Sequence, residues 1–266
     1  MSSRHNKDFG PVHVSIDEYV GIIQMRDVEG RNVLHAPLRN GIIQAVAAVV
    51  AHPDTRVVLV TGCGNVFCTG APQALLRGDQ EMPFDEYEPF ARAFLHCPLP
   101  VVAAMQGHAI GGGLVMGLYA DVPVLSERSV YAANFLQYAV APYVGTTHLL
   151  PLRMGSALGT EMILTARGYH GAELRDRGAN VRVVPHDQVW PTATDIAQRI
   201  AQAPRHALTL VKQQLAASML ADTDTAMSRE LEPHQTSWNH AEVRQRAAAH
   251  YGPPASARAA ASPAKP

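Results

Sequence analysis

The stretch GHAIGGGLVMGLYADV, residues 107–122, limits what this chain can fold into more than any other part of it. It follows a nearly continuous apolar run, PVVAAMQ (100–106), of the kind expected for a strand buried on both faces. The glycines Gly107, Gly111, Gly112 and Gly113 then lead into a second apolar run that reads as a helix. A junction of strand, glycines and helix leaves free backbone N–H groups at the helix start. Without side chains, it also lets a ligand approach the backbone. Two nucleotide readings fail. A P-loop needs lysine and a hydroxyl residue after its last glycine, and here Gly113 and Leu114 follow Gly112. The dinucleotide spacing fails too, because Gly111, Gly113 and Gly117 are two and four apart. From the glycines alone, two uses stay open: an oxyanion site, or close packing of helix on sheet.

The stretch VVLVTGCGNVFCTGAPQALL (57–76) repeats the arrangement, with a turn at Gly70 and Ala71. Further buried-strand patterns stand at 122–127 and 181–185, and the alternation with helical segments predicts an α/β core. Residues 12–26 read as two strands joined near 17–19. Residues 37–51 read as a helix with Leu38, Ile42, Ala45, Val46 and Val49 on one face. The acid- and proline-rich segment 78–89 reads as a mobile loop or frayed helix. After about residue 195 the chain turns helical, with breaks expected at Pro204 and at Asp222–Asp224. This gives three regions: a core over 1–195, a helical region over 196–252, and a disordered Ala/Pro/Ser-rich tail over 253–266.

Composition narrows the class further. Of 266 residues, 47% are apolar, enough for one large core. A net charge of −1 gives no bulk attraction to nucleic acid or anionic membrane. No apolar run approaches the roughly 20 residues of a membrane span, and the N-terminus has no signal-peptide core. Cys63, Cys68 and Cys97 show no C-x-x-C spacing and read as small reduced core residues. The thirteen histidines show no zinc spacing, so no metal site is expected. A cytoplasmic protein fits these features.

Together, NVFCTGA (65–71), PVVAAMQGHAIGGGLVMGLYADV (100–122) and YAANFLQYAVAPYVGTTHLLPLRMG (131–155) resemble the crotonase (enoyl-CoA hydratase/isomerase) superfamily, over roughly residues 12–251. The resemblance implies a spiral of ββα units with a helical C-terminal region, assembled as a homotrimer or dimer of trimers. It implies an acyl thioester substrate on coenzyme A or on the phosphopantetheine of acyl carrier protein, with no resident cofactor. It also implies an oxyanion hole from the N–H groups of Ala71 and Gly112, beside Gly111.

Hydratases of this kind use two glutamates, and the matching positions here hold Val115 and Phe135. Neither side chain can move a proton, so ordinary hydration is not expected. Apolar walls suit decarboxylation, since they disfavour a substrate carboxylate. The stretches VVAAMQGHAIGGGLVMGLYADV (101–122), SVYAANFLQYAVAP (129–142) and GYHGAELRDRGANVRVVP (168–185) look like the decarboxylases of polyketide β-branching cassettes. That resemblance implies CO2 loss from a 3-methylglutaconyl group on acyl carrier protein, with Val115 and Phe135 facing the substrate. It supplies His234 as the proton-transferring or carboxylate-contacting group, near a neutral pKa. The branch also carries a lysine after the first turn, whereas lysines here stand only at 7, 212 and 265. The nearest cation is Arg77, either a carboxylate contact or an exposed helix residue. Asp79, Glu81 and Tyr87 read as solvated; His148, Tyr138 and Tyr143 read first as packing residues. The competing functions are an enoyl isomerase or hydratase-like enzyme, and a non-catalytic homologue that binds acyl carrier protein.

Overall fold

A computed structural model describes residues 6–82 and 84–252; the expected tail at 253–266 lies outside the described residues. The chain opens with β1 (Asn6–Phe9), β2 (Val12–Asp17) and β3 (Val20–Met25), followed by α1 (Ala36–Ala51). His35 caps α1, its ring accepting the Leu38 N–H, and Pro37 sits in the first turn where no donor is lost. Next come β4 (Val57–Thr61), β5 (Val66–Cys68), α2 (Gln73–Arg77), α3 (Phe84–Ala91) and α4 (Ala93–His96). Then come β6 (Val101–Met105), β7 (His108–Ile110), α5 (Gly112–Leu118), β8 (Val122–Ser126) and β9 (Val130–Ala132). A 3-10 turn (Asn134–Tyr138) leads to α6 (Thr146–Met154), α7 (Ser156–Thr165), β10 (Gly168–His170), α8 (Gly171–Asp176) and β11 (Arg182–Val184). Three helices finish the described chain: α9 (Val189–Ala201), α10 (Arg205–Trp238) and α11 (Ala241–Tyr251). Residue 195 lies within α9. No helix among the described residues is long and apolar enough to cross a membrane.

The strands form two sheets. The larger has the order β1-β2-β3-β4-β6-β8-β11, antiparallel through β3 and parallel beyond it. The smaller has the order β10-β9-β7-β5. Each repeat therefore sends one strand to the large sheet and the next, short one to the small sheet before a helix returns: β4-β5-α2, then β6-β7-α5. This is the ββα spiral that the resemblance implies.

The apolar runs explain why the large sheet is covered twice. On β4 and β6, alternate side chains point to opposite faces. Val58, Val60, Val101, Ala103 and Met105 join the main core with α1, α3 and α5. Val57, Leu59, Val102 and Ala104 pack instead against Val189, Ala193, Ala197 and Ala201, one stripe of α9.

The structure refines or changes the sequence reading in three places. The segment expected as a mobile loop or frayed helix over 78–89 is helical in its second half, where α3 begins at Phe84, with Pro89 inside it. Its Phe84, Tyr87, Phe90 and Ala91 pack into or against the core, which outweighs the proline. The break expected at Asp222–Asp224 is absent, and α10 runs unbroken for 34 residues. Buried Thr223, Ala226, Met227 and Glu230 fasten it there. The strands of the small sheet and β1 are too short to give a periodic signal.

The foot of α10 is pinned by Lys212, which is 2% exposed. Its Nζ donates to both oxygens of Asp121 at 2.8 Å and to the Phe94 carbonyl. Asp121 also accepts the N–H of Val101, at the start of β6. Breaking one partner of such a pair leaves a poorly solvated charge. Lys212→Ala should lower the unfolding free energy by about 3 kcal/mol, read from urea denaturation.

Candidate active site

The two strand-to-helix turns meet backbone to backbone. Gly70 has φ +80°, and a Cβ there would stand 2.6 Å from the Ile110 carbonyl oxygen and 3.6 Å from the Gly112 nitrogen. Only a glycine allows that approach. The first turn is tied on its other side by the Leu34 N–H, donated to the Gly70 carbonyl at 2.8 Å. Thr69 Oγ1 donates to the Arg31 carbonyl.

The three consecutive glycines have separate uses. Gly111, at φ +53°, turns the chain from β7 into α5, and its N–H is held by the Ala132 carbonyl. A Cβ on Gly113 would lie 2.5 Å from the Cys68 carbonyl oxygen, so Gly113 is there for packing. A Cβ on Gly112 would meet only Leu34 Cδ1, at 3.3 Å. Gly112 opens α5, and among the described residues neither its N–H nor that of Ala71 has an acceptor in the chain. Both residues line one pocket. Two unpaired donors on residues that line one largely apolar cavity suit an oxygen on which negative charge develops.

The same pocket takes in Gly111, Phe135 and His234, and also Tyr87, Tyr138, Tyr143, Val144 and Trp238. His234 is 3% exposed. Its Nδ1 lies 2.6 Å from the Ala141 carbonyl, which can only accept, so Nδ1 carries the proton. Nε2 is buried and has no partner. The ring stacks on Tyr143 at 5.1 Å and meets Phe84 edge-on at 5.7 Å. Burial pushes the His234 pKa below its ordinary value, against the smaller raising effect of the Ala141 carbonyl. The resting imidazole is therefore neutral near pH 7 and offers a lone pair to the pocket. The expected near-neutral proton donor is, at rest, an acceptor.

Two expected residues fall elsewhere. Val115 is fully buried in the main core, on the part of α5 that packs inward, and does not line the pocket. Arg77 is neither exposed nor in the pocket: its Nε donates to Asp79 at 3.0 Å, beside the end of α2. Asp79 is thus a partner of Arg77 rather than a solvated group. His108 sits in β7, its Nδ1 accepting the Val130 N–H, away from the cavity.

Tyr87, expected in solvent, is instead buried in the site. It is 6% exposed and lines the pocket, its ring covered by the Arg39 guanidinium at 4.8 Å. The spacing of Phe84, Tyr87, Ala91 and Phe94 already traces a helical apolar stripe that would have placed it inward. Trp238 follows His234 by one turn and could have been found in the same way. Cys68 lies beneath the glycine turn, and burial raises its thiol to about 12, so it stays protonated and is no nucleophile.

The histidine also makes the protein acid-sensitive. A histidine with a lowered folded-state pKa is charged first in the unfolded chain. The stability tied to neutral His234 is complete above about 6.5 and is lost as pH falls from there through the lower folded value. His96, His108 and His186 are shifted the same way by burial. The Tm should therefore drop as the pH falls below about 6.5, and drop less in His234→Phe. Equal acid sensitivity of the two proteins by calorimetry would contradict the burial of a neutral His234.

Comparison with known proteins agrees with this architecture. The sequence pattern of the enoyl-CoA hydratase/isomerase family matches residues 15–252. The bacillaene synthase decarboxylase PksI of Bacillus subtilis is 36% identical over 240 residues, spanning 90% of this chain and 96% of that protein. The ECH2 decarboxylase domain of CurF from Lyngbya majuscula superposes with a TM-score of 0.84 at 36% identity, over 91% of this chain and all of that one. A structure from a dehydratase/decarboxylase enzyme couple involved in polyketide β-branching superposes at 0.86 with 33% identity, over 94% of this chain and all of that one. The probable enoyl-CoA hydratase EchA14 of Mycobacterium tuberculosis is 31% identical over 232 residues, covering 85% of this chain and 88% of its own. With its two glycine turns, its ββα spiral and these relatives, the chain belongs to the enoyl-CoA hydratase/isomerase, or crotonase, family.

Proposed function

We propose that this enzyme is a decarboxylase of polyketide β-branch formation, acting on a 3-methylglutaconyl-type thioester held on the phosphopantetheine of acyl carrier protein. The observation that carries the reading is the composition of the pocket. It offers two free backbone donors and one buried neutral histidine, and among the residues whose side chains are described, a set that leaves out Asp85 and Glu86, no Asp or Glu lines it. Hydration needs a carboxylate to activate water. Loss of CO2 needs an acceptor for the electron pair, a medium that disfavours the carboxylate, and one proton.

The thioester oxygen lies between the N–H groups of Ala71 and Gly112. The substrate carboxylate extends toward Phe135 and His234, where binding of the anion draws a proton onto Nε2. The bond between the chain and CO2 then breaks, and its electrons pass into the conjugated thioester as a dienolate. The developing charge comes to rest on the oxygen held by the two N–H groups. CO2 leaves as a neutral molecule suited to the apolar wall. Nε2 returns its proton to carbon, which restores neutral His234 and gives a methyl-branched enoyl thioester. The sequence consumes one proton and uses no resident cofactor.

A homo-oligomer, trimer or dimer of trimers, belongs to the same proposal. Leu210, Val211 and Leu215 on α10 are 58%, 55% and 66% exposed, an apolar patch suited to a second copy.

Carrier protein loaded with the methylglutaconyl group and treated with the enzyme should lose the mass of CO2. Crotonyl-CoA should not be hydrated, and rapid loss of its enoyl absorbance would favour the hydratase-like alternative. Gly112→Pro removes one donor at the first position of a helix, where proline is well accommodated. It should lower kcat about 10²–10³-fold with the circular dichroism spectrum retained. A folded Gly112→Pro protein of normal activity would sink the oxyanion assignment.

A further inference from the structure

The segment 141–147 is stitched to α10 at three successive turns of that helix. Glu230, His234 and Ser237 stand on one face and each holds part of it. His234 Nδ1 donates to the Ala141 carbonyl at 2.6 Å, and Ser237 Oγ accepts the Ala141 N–H at 2.9 Å. One turn earlier, Glu230 is 5% exposed and accepts three hydrogen bonds. Oε2 takes the Gly145 N–H at 2.7 Å; Oε1 takes the Thr147 N–H at 2.7 Å and the Thr147 hydroxyl at 2.6 Å. Gly145 is the residue before α6, so this carboxylate caps α6 from another helix, where its charge suits the helix dipole.

The capped segment is under tension. Within it Val144 has φ +57°, and for a β-branched residue that conformation is unfavourable. Val144 is kept there by the Tyr119 hydroxyl, donated to its carbonyl, and by the Glu230 contact on the next N–H. Val144 and Tyr143 both wall the pocket, and Tyr143 stacks on His234. Docking of α10 as a whole has a separate anchor in Lys212. What Glu230 adds is local: it holds Gly145 and Thr147, directly after Tyr143 and Val144 in the chain.

We propose that Glu230 is a positioning residue for His234, fixing the 141–147 segment so that the Ala141 carbonyl holds the proton on Nδ1 and leaves Nε2 open to substrate. Glu230 does not line the pocket, so it acts through the segment. A carboxylate is required because three donors converge on two oxygens. An amide offers one acceptor oxygen and turns its NH2 toward N–H groups. The catalytic side of this inference rests on His234 carrying the proton, as set out above; the tautomer side does not.

The test uses the full chain with 15N-labelled histidine. In the parent protein the His234 resonances should show a single Nδ1–H tautomer. In Glu230→Gln they should show a mixture, and kcat should fall about tenfold or more with KM little changed, as for groups that orient metal-bound imidazoles. In a His234→Ala background, Glu230→Gln should cause no further loss of rate. A purely structural role predicts the opposite: an unchanged tautomer, or the same fractional loss in both backgrounds, and either result overturns the proposal. Should Glu230→Gln fail to fold, Thr147→Ala removes only the hydroxyl contact and should move tautomer and kcat in the same direction by less; no movement in a folded Thr147→Ala protein overturns it as well. If the parent protein decarboxylates nothing, the proposed function fails, while the tautomer measurement still decides the role of Glu230.

Discussion

The close approach of two backbone turns is the contact on which the site depends. Gly70 lies so near the Ile110 carbonyl that any side chain would part them. That nearness puts the N–H groups of Ala71 and Gly112 in one pocket, though they stand 41 residues apart in the chain. It also explains the shape of the fold. The spiral sends β5 and β7 out of the large sheet into a small one, where they pair in parallel. Parallel neighbours end at the same edge, so the turns that follow them end there too.

Much of this was legible in the sequence, and for a definite reason. Strands buried on both faces, such as β4 and β6, are apolar at every position but Thr61, so their runs stand out from any flanking helix. The glycine turns were legible because close approach of backbones leaves few alternatives to glycine. The β5 and β7 strands were not, since three residues are too few to show a period. The continuity of α10 was hidden for a different reason. Asp222 and Asp224 are poor helix formers, but tertiary contacts of the buried residues around them outweigh their local preference.

The site was legible in its backbone and less so in its side chains. Ala71, Gly111, Gly112, Phe135 and His234 all reach the pocket. Val115 does not, because the helix that begins with a donor toward the pocket turns its following residues into the core. Arg77 does not, because Asp79, two residues on, engages it first. The state of His234 could not be read from its identity. Its neutrality comes from being enclosed by Tyr143, Phe84 and Trp238, which three different segments supply.

The unbroken α10 joins two distant requirements. Lys212 is fixed to the central sheet and His234 to the cavity, 22 residues along one helix that also contains Pro233, or about 33 Å at 1.5 Å per residue. Both must face inward at once. One residue inserted between them would rotate the histidine by about 100° relative to the lysine, and no loop intervenes to absorb the error. The helix is a ruler and a protractor together. Its length tolerates substitutions along the exposed side but not a change in count, so in this part of the gene a single-codon insertion or deletion should be far more damaging than most replacements.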